Sequence, residues 1–424
     1  MRQDRPFSTP ARDRFRLHRR RCSSDLAQLS RTQAQLANPR YRWVVLAAGT
    51  TAQAAFSALL IGLPVLAPAL RDRYDLSLSQ VGLVLSSIWI GPILTLLPWG
   101  LLADRVGERI VLATGLVGCG VLAAAAGWAS SFVMLVVLLG VAGAMGASVN
   151  AASGRAVMQW FSARQRGFAL GVRQTAIPLG GAVAALALPA INAAGGLKAS
   201  FVFLGALCLA AAACAALAVR EAPRTVTELE AEDIEWTLRD RRLWILSGGS
   251  SLYLFAQIAL TSFFVLFLHD EHGLSDGVAA AALAVMQVGA VVTRISAGRI
   301  SDALRARVRP LRWIGLASAA GVLLTAVVTH APLEVVIPVM VVAGAISMAW
   351  NGLSVTAAAE LAGLARSGAA IGFQQTTLSV TGVVVPVAFA YAVDSTSWEG
   401  GFALAAIGPV AGWWLLGRLP PSAP

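Results

Sequence analysis

Three arginines lie inside predominantly apolar stretches of the sequence, where charged side chains are rare. They are Arg155, Arg173 and Arg294, and each lies several residues from the end of its stretch. A charge in this setting is costly unless it is paired or faces water, so its presence indicates a functional role. The planar guanidinium group donates two parallel hydrogen bonds to a carboxylate. We therefore predict that two of them, Arg173 and Arg294, bind an anionic ligand group. The alternative is that they pair with loop acids or helix ends.

Uncharged hydrogen-bonding side chains recur at helical spacing in other apolar stretches. Gln53 and Ser57 are four residues apart, as are Gln257 and Thr261, so each pair lies on one face of a helix. Such side chains either line a polar cavity or join one helix to another. We predict cavity lining. The predicted substrate-binding residues are Arg294, Arg173, Gln53, Asn150, Tyr253, Gln257, Asn351, Gln374 and Gln375.

Side chains suited to covalent or metal chemistry are sparse. Of the four histidines, only His269 and His272 are close together in sequence, and no cysteine accompanies them. Zinc sites need three or four clustered ligands. We therefore expect no cofactor and no metal, and the sequence does not predict an enzyme.

The apolar stretches that carry these residues predict a helical membrane protein. The chain of 424 residues is 57% hydrophobic and 13% charged, with a mean hydropathy of +0.70, whereas soluble domains carry about 25% charged residues. The apolar runs are long and continuous, which excludes a barrel of alternating strands. Twelve crossings are predicted, at about 43 to 70, 80 to 103, 110 to 128, 132 to 160, 166 to 191, 200 to 219, 243 to 268, 278 to 300, 311 to 330, 333 to 361, 368 to 392 and 399 to 418.

The chain nearly repeats itself, which predicts two related halves of six helices. At a shift of 198 residues, Asp104 aligns with Asp302 and Arg109 with Arg307; at a shift of 201, Asn150 aligns with Asn351 and Gln174-Thr175 with Gln375-Thr376. Related halves bind their substrate between them near the middle of the membrane. The predicted organisation is a disordered basic tail (1 to 40), an amino-terminal half (41 to 219), a linker (220 to 242), a carboxy-terminal half (243 to 418) and a short tail (419 to 424).

Basic residues mark one side of the membrane. The net charge of +11 would favour nucleic acid in a soluble protein, but here the arginines gather in every second loop, as is typical of cytoplasmic loops. The first outer loop, with Arg71 and Arg73, is an exception. We predict that the linker and both termini are cytoplasmic. Lys198 is the only lysine among 33 basic residues, which favours a GC-rich bacterial source and hence the bacterial cytoplasmic membrane.

The loop after the second crossing resembles a family signature. Its sequence, Gly-Leu-Leu-Ala-Asp-Arg-Val-Gly-Glu-Arg from Gly100 to Arg109, is similar to the Gly-x-x-x-Asp-Arg/Lys-x-Gly-x-Arg/Lys motif of the major facilitator superfamily. The second copy, starting at Gly298, has Arg305 where Gly107 aligns. The resemblance implies twelve helices in two pseudo-symmetric halves that alternate access through an inner gate. The residues assigned to that gate are Gly100, Asp104, Arg105, Gly107, Arg109, Asp302, Arg305, Glu360 and Arg366.

A second resemblance concerns Arg294. The stretch from Arg294 to Asp302 is similar to an Arg-x-x-x-Gly-x-x-Ser/Ala-Asp pattern with which nitrate, oxalate and monocarboxylate carriers place an anion-binding arginine in helix eight. Leu96 stands where nitrate carriers have a symmetric arginine, and Ala290 where monocarboxylate carriers often have an aspartate. The resemblance thus implies a transporter of a small organic anion such as a mono- or dicarboxylate. We expect the protein to be a monomer.

The direction and the coupling of transport stay open. We find no acid near the middle of a crossing, and Glu360 is the closest, so proton symport, exchange and uniport are all possible mechanisms. Drug efflux is the main alternative function, because Ile177-Pro-Leu-Gly-Gly181 partly resembles the Gly-Pro-x-x-Gly-Gly motif of exporters. A membrane sensor or a membrane enzyme is less expected.

Overall fold

The computed structural model describes residues 40–161, 163–220 and 239–420. Nearly all of these residues are helical. The predicted amino-terminal tail and most of the predicted linker lie outside the described residues. The helices are α1 (Tyr41–Val65), α2 (Ala67–Tyr74), α3 (Leu78–Val106), α4 (Glu108–Ala126), α5 (Phe132–Trp160), α6 (Ala163–Ala218), α7 (Arg241–Ser262), α8 (Phe264–His272), α9 (Asp276–Leu304), α10 (Val308–Val328), α11 (Leu333–Ser347), α12 (Trp350–Ser395), α13 (Trp398–Ala405) and α14 (Ile407–Leu416).

The described residues make twelve membrane crossings. Eleven segments among them are long and apolar enough to span a bilayer. One segment, Ala169–Ala218, has 50 residues, which is about twice the length that one crossing needs. Gly196 within it has a φ of 66° and a ψ of −169°, so two helices meet there. The predicted all-α membrane fold with twelve crossings in two halves is confirmed.

Four crossings contain breaks that the sequence analysis did not predict. The first is interrupted at Leu66, the seventh at Phe263, the tenth at Met348 and Ala349, and the twelfth at Ala406. None of these residues is a glycine or a proline, so hydropathy and composition gave no sign of a break. The break in the tenth crossing has the clearest consequence, because it leaves backbone carbonyls at the end of α11 without helical partners.

Close glycine contacts pack the helices within each half. A Cβ atom added at Gly91 of α3 would lie 2.6 Å from the Gly140 carbonyl oxygen of α5. In the carboxy-terminal half, one added at Gly412 of α14 would lie 2.6 Å from the carbonyl oxygen of Gly249 in α7. Without a side chain, the backbones approach closely and gain the dispersion contacts that hold helices together in lipid.

The two halves meet at the end of the bundle that carries few arginines. The backbone N–H and the hydroxyl of Ser79 donate hydrogen bonds of 3.1 and 2.6 Å to Asp394 Oδ2, and Arg71 forms an ion pair with Asp270. A Cβ added at Gly82 of α3 would lie 2.7 Å from the Pro386 carbonyl oxygen of α12. This end is therefore closed.

Four glycines at repeat-related positions lie towards the opposite, arginine-rich end, two in each half. Cβ atoms added to them would meet no atom within 4 Å; the four are Gly100, Gly171, Gly298 and Gly372. The contacts between the halves named above lie at the other end.

Candidate functional site

A central cavity lies between the two halves. It encloses about 110 Å³ that a water-sized molecule can reach, and α1, α3, α5, α6, α7, α9 and α12 all contribute to its wall. Six of the predicted substrate-binding residues line it. They are Gln53, Asn150, Gln257, Arg294, Asn351 and Gln375.

Two amide pairs face this cavity from repeat-related positions. Asn150 and Asn351 form one pair, and Gln174 and Gln375 form the other. Each pair is separated by 201 residues in the sequence, so each half contributes one member. Amides both donate and accept hydrogen bonds, and the two sides of the cavity therefore offer the same polar groups to a ligand.

Arg294 breaks this symmetry, because Leu96 stands at the related position of the amino-terminal half. Its side chain is only 7% exposed. Nε donates a hydrogen bond of 2.9 Å to the Met348 carbonyl, and Nη1 donates one of 2.7 Å to the Gln174 carbonyl in the other half. Nη2 is buried and makes no hydrogen bond within the described structure.

The local fold explains how a charged side chain is held here. Because α11 ends at Ser347, the next carbonyl, that of Met348, accepts a hydrogen bond from Arg294. The carboxyl end of a helix also carries a partial negative charge, which stabilises a nearby cation. Nη2 stays without a hydrogen bond in the described structure, so the guanidinium keeps the capacity to bind an anion.

Arg173 is placed behind the cavity wall. It is 5% exposed, its Nη2 donates a hydrogen bond of 2.7 Å to Gln53 Oε1, and its Nε donates one of 2.8 Å to Ser153 Oγ. Arg173 and Arg294 thus hydrogen-bond to different partners. The structure does not bring both guanidinium groups into the lining of one cavity.

Two further predicted residues also lie away from the lining. Tyr253 is fully buried and packs inside the carboxy-terminal half, where a Cβ added at Gly412 would lie 2.7 Å from its ring. Gln374 is also fully buried and hydrogen-bonds to the Ser354 hydroxyl. Both side chains contact their own half rather than the cavity.

Sequence reasoning missed two tryptophans of the lining. Trp89 of α3 and Trp350 of α12 both contribute to the cavity wall. A Cβ added at Gly382 of α12 would lie 2.8 Å from Trp89 Cγ, so the indole rests against the other half. Aromatic residues in apolar runs are usual in membrane helices, and nothing in the sequence distinguished these two.

An ion cluster lies at the arginine-rich end of the carboxy-terminal half. Arg307 donates hydrogen bonds of 3.0 and 2.8 Å from Nε and Nη2 to the two carboxylate oxygens of Glu360. It also pairs with Asp302 and donates a 2.9 Å bond to Ser301 Oγ. The hydrogen bonds to Glu360, with a further contribution from Asp302, raise the pKa of Arg307 above its usual value. The predicted gate omitted Arg307, although the repeat aligned it with Arg109.

The amino-terminal half has its own ion pair near this end. Glu108 accepts contacts of 3.0 Å from Arg155 Nε and 2.8 Å from Gln159 Nε2, and it too was absent from the predicted gate. Arg109 is exposed, and Arg105 and Arg366 have interaction partners. The side chain of Asp104 lies outside the described residues.

The two loops of the repeated motif adopt different turns. Gly107 has a φ of 92° and a ψ of 159°, whereas Arg305 at the aligned position has a φ of 50° and a ψ of 38°. Both values of φ are positive, which costs free energy for any residue with a Cβ. The loop of the carboxy-terminal half thus has a positive φ at the aligned position although the residue there is an arginine.

Comparison with known proteins gives a consistent result. The family model of the Major Facilitator Superfamily matches residues 44–386. An uncharacterised MFS-type transporter of Mycobacterium tuberculosis (strain ATCC 25618 / H37Rv) is 32% identical over 372 residues, which are 87% of this chain and 83% of that protein. The "Probable sulfoacetate transporter" of Cupriavidus necator is 25% identical over 79% of this chain and 84% of its own length. The crystal structure of a D-xylose–proton symporter has a TM-score of 0.72 at 17% identity, covering 90% of this chain and 99% of that one.

Proposed function

The chain belongs to the Major Facilitator Superfamily, as its loop motif and repeat predicted, and from this premise we propose that this membrane transporter carries a small organic anion bound through Arg294. The observation that carries the proposal is the state of that side chain. It is buried in the cavity wall, and only two backbone carbonyls accept its hydrogen bonds. A charge held in this way, with one nitrogen unbonded, favours an anionic partner.

The rest of the cavity supports a small polar substrate. The amides Asn150, Asn351, Gln174 and Gln375 offer hydrogen bonds from both halves. No acidic side chain contributes to the described lining, which disfavours a cationic substrate. The relative from Cupriavidus necator is named for sulfoacetate, an organic anion, and this name agrees with the proposal.

We also propose alternating access as the mechanism. Contacts such as Ser79 with Asp394 hold the halves together at the end with few arginines, and alternating access requires that these contacts break when that end opens. The positive-inside rule supports a cytoplasmic location for the arginine-rich end and for both termini. Glu108 is the only buried acid among the described residues, and it is paired with Arg155. Proton symport would therefore use the substrate's own acid group, and exchange would need no proton.

Uptake into proteoliposomes tests the proposal. Labelled mono- and dicarboxylates and sulfonates are supplied with and without an inward proton gradient, and the parent is compared with Arg294→Gln. Each charged hydrogen bond contributes about 1.5–3 kcal/mol, so affinity should fall about 10- to 100-fold. The matched control is Arg299→Gln, because Arg299 is an exposed arginine of the same helix. Absence of saturable anion uptake by folded parent protein would refute the proposal.

Efflux of larger apolar compounds is the second candidate. One part of the cavity wall is apolar, with Phe56, Leu85 and Ile88, which favours such substrates. The exporter-like glycines do not add support. A Cβ at Gly180 would lie 3.0 Å from the Ala58 backbone nitrogen, and one at Gly181 would lie 2.7 Å from Ile61 Cδ1, so close helix packing explains both. Drug-stimulated proton release from the proteoliposomes, without anion uptake, would favour this candidate.

A further inference from the structure

Arg173 is a buried cation whose assigned hydrogen bonds go to neutral side chains. Its partners are Gln53 Oε1 at 2.7 Å and Ser153 Oγ at 2.8 Å, and none of the described acids forms an ion pair with it. A purely structural role does not explain why this residue is charged. A neutral donor would satisfy the same two oxygens without the cost of burying a charge. The repeat contains such a neutral counterpart. Gln374 lies 201 residues after Arg173 and bonds to Ser354, the counterpart of Ser153.

The contact with Arg173 fixes the orientation of the Gln53 amide. An arginine side chain has only donors, so the atom of Gln53 that faces it must be the carbonyl oxygen. The NH2 group of Gln53 then points the other way, towards Ser57 Oγ at 3.4 Å. Both Gln53 and Ser57 line the cavity. The long 3.4 Å distance leaves this NH2 group weakly bonded and available to an acceptor on a ligand.

We propose that Arg173 is a positioning residue which, through Gln53, makes the cavity selective for monoanions that carry a hydroxyl group. This inference rests on the proposed function. Arg294 is the only cationic residue of the described lining, so it binds one negative group. The Gln53 NH2 group donates to a hydroxyl oxygen elsewhere on the substrate. A substrate without that oxygen leaves a buried donor without a partner, which lowers its affinity.

The test measures a selectivity ratio, which is the affinity for a hydroxylated acid divided by the affinity for propionate. Propionate, 2-hydroxypropionate, 3-hydroxypropionate and glycerate compete against the best labelled anion of the uptake panel in proteoliposomes. For the parent, we expect the better hydroxylated acids to bind about tenfold more tightly than propionate, which corresponds to one net hydrogen bond. Arg173→Gln should bring the ratio close to one, because a glutamine side chain no longer fixes the Gln53 amide. Arg173→Lys, which keeps a cationic donor, should retain most of the parental ratio.

A second variant covers the case in which Arg173→Gln does not fold. Gln53→Glu keeps the shape and the acceptor for Arg173 but lacks the NH2 donor, so it should also abolish the ratio. Loss of the positive charge of Arg173 by itself would lower the affinity for every anion by the same factor, and would leave the ratio unchanged. An unchanged ratio in Arg173→Gln or Gln53→Glu, with uniformly weaker binding, would therefore overturn the positioning role while leaving anion transport standing. A parent that transports no anion would overturn both proposals.

Discussion

Replacement of Gly82 by alanine should drive the two halves apart at their closed end. The added Cβ would lie 2.7 Å from the Pro386 carbonyl oxygen, 3.1 Å from its carbon and 3.0 Å from Ala390 Cβ, whereas ordinary contacts begin near 3.4 Å. The atoms in the way belong mostly to the backbone of α12 and cannot rotate aside. Overpacking of this kind costs about 1–3 kcal/mol, which shifts a two-state population about 5- to 150-fold.

The same helix provides a matched control. A Cβ added at Gly100 meets nothing within 4 Å, so Gly100→Ala adds the same methyl group without a clash. Spin labels at Asp72 and Glu271, which are exposed at the closed end on opposite halves, report the separation of the halves in a background without native cysteines. We expect a longer distance population in Gly82→Ala only. An unchanged distance distribution in folded Gly82→Ala protein would refute the packing argument.

Two further predictions concern stability, measured as thermal unfolding of the purified protein. Asp240 caps the start of α7 by accepting a 2.8 Å hydrogen bond from the Arg242 backbone nitrogen, so Asp240→Ala should lose about 1 kcal/mol. Partial burial raises the pKa of Asp240, but hydrogen bonds from Arg242 lower this pKa overall. The stabilisation by Asp240 should therefore be complete above the pKa of an unfolded aspartate and should fade as the pH falls through the lower pKa of the folded protein. A pH-independent effect of Asp240→Ala would contradict this. Arg305 has a φ of 50°, which is unfavourable for a residue with a Cβ, so Arg305→Gly should raise the free energy of unfolding by about 1 kcal/mol. A destabilised Arg305→Gly variant would show instead that the arginine side chain stabilises the turn.

The crossings were predictable from the sequence, and the breaks within them were not. Hydropathy reports whether a segment is stable in lipid, and this property is the same for a straight helix and for one that bends at Met348. At the break, the Met348 carbonyl accepts a hydrogen bond from Arg294. Such a partner is 54 residues away in the sequence, beyond the reach of local patterns.

The cavity was only partly predictable, for a related reason. The repeat predicted that Asn150 and Asn351 line the cavity together, because the same polar residue occurs at related positions of the two halves. Tyr253 and Gln257 are four residues apart, which places them on one face of a helix, but only Gln257 reaches the lining. Neighbouring helices decide which part of a stripe faces the cavity, and Tyr253 is enclosed by glycines of α10 and α14. The repeat aligned Arg307 with Arg109, so the ion cluster with Glu360 was within reach of the sequence.

The charge of Arg294 has an electrical consequence. The side chain belongs to a membrane-spanning helix and is buried there, so it lies within the electric field across the membrane. A carrier occupied by a monoanion then holds one positive charge fewer in that field than an empty carrier. Moving one charge through the whole field is equivalent to about 2.3 kcal/mol per 100 mV. A negative cell interior would therefore act differently on the empty and the occupied carrier, and it would draw the unoccupied arginine towards the cytoplasm.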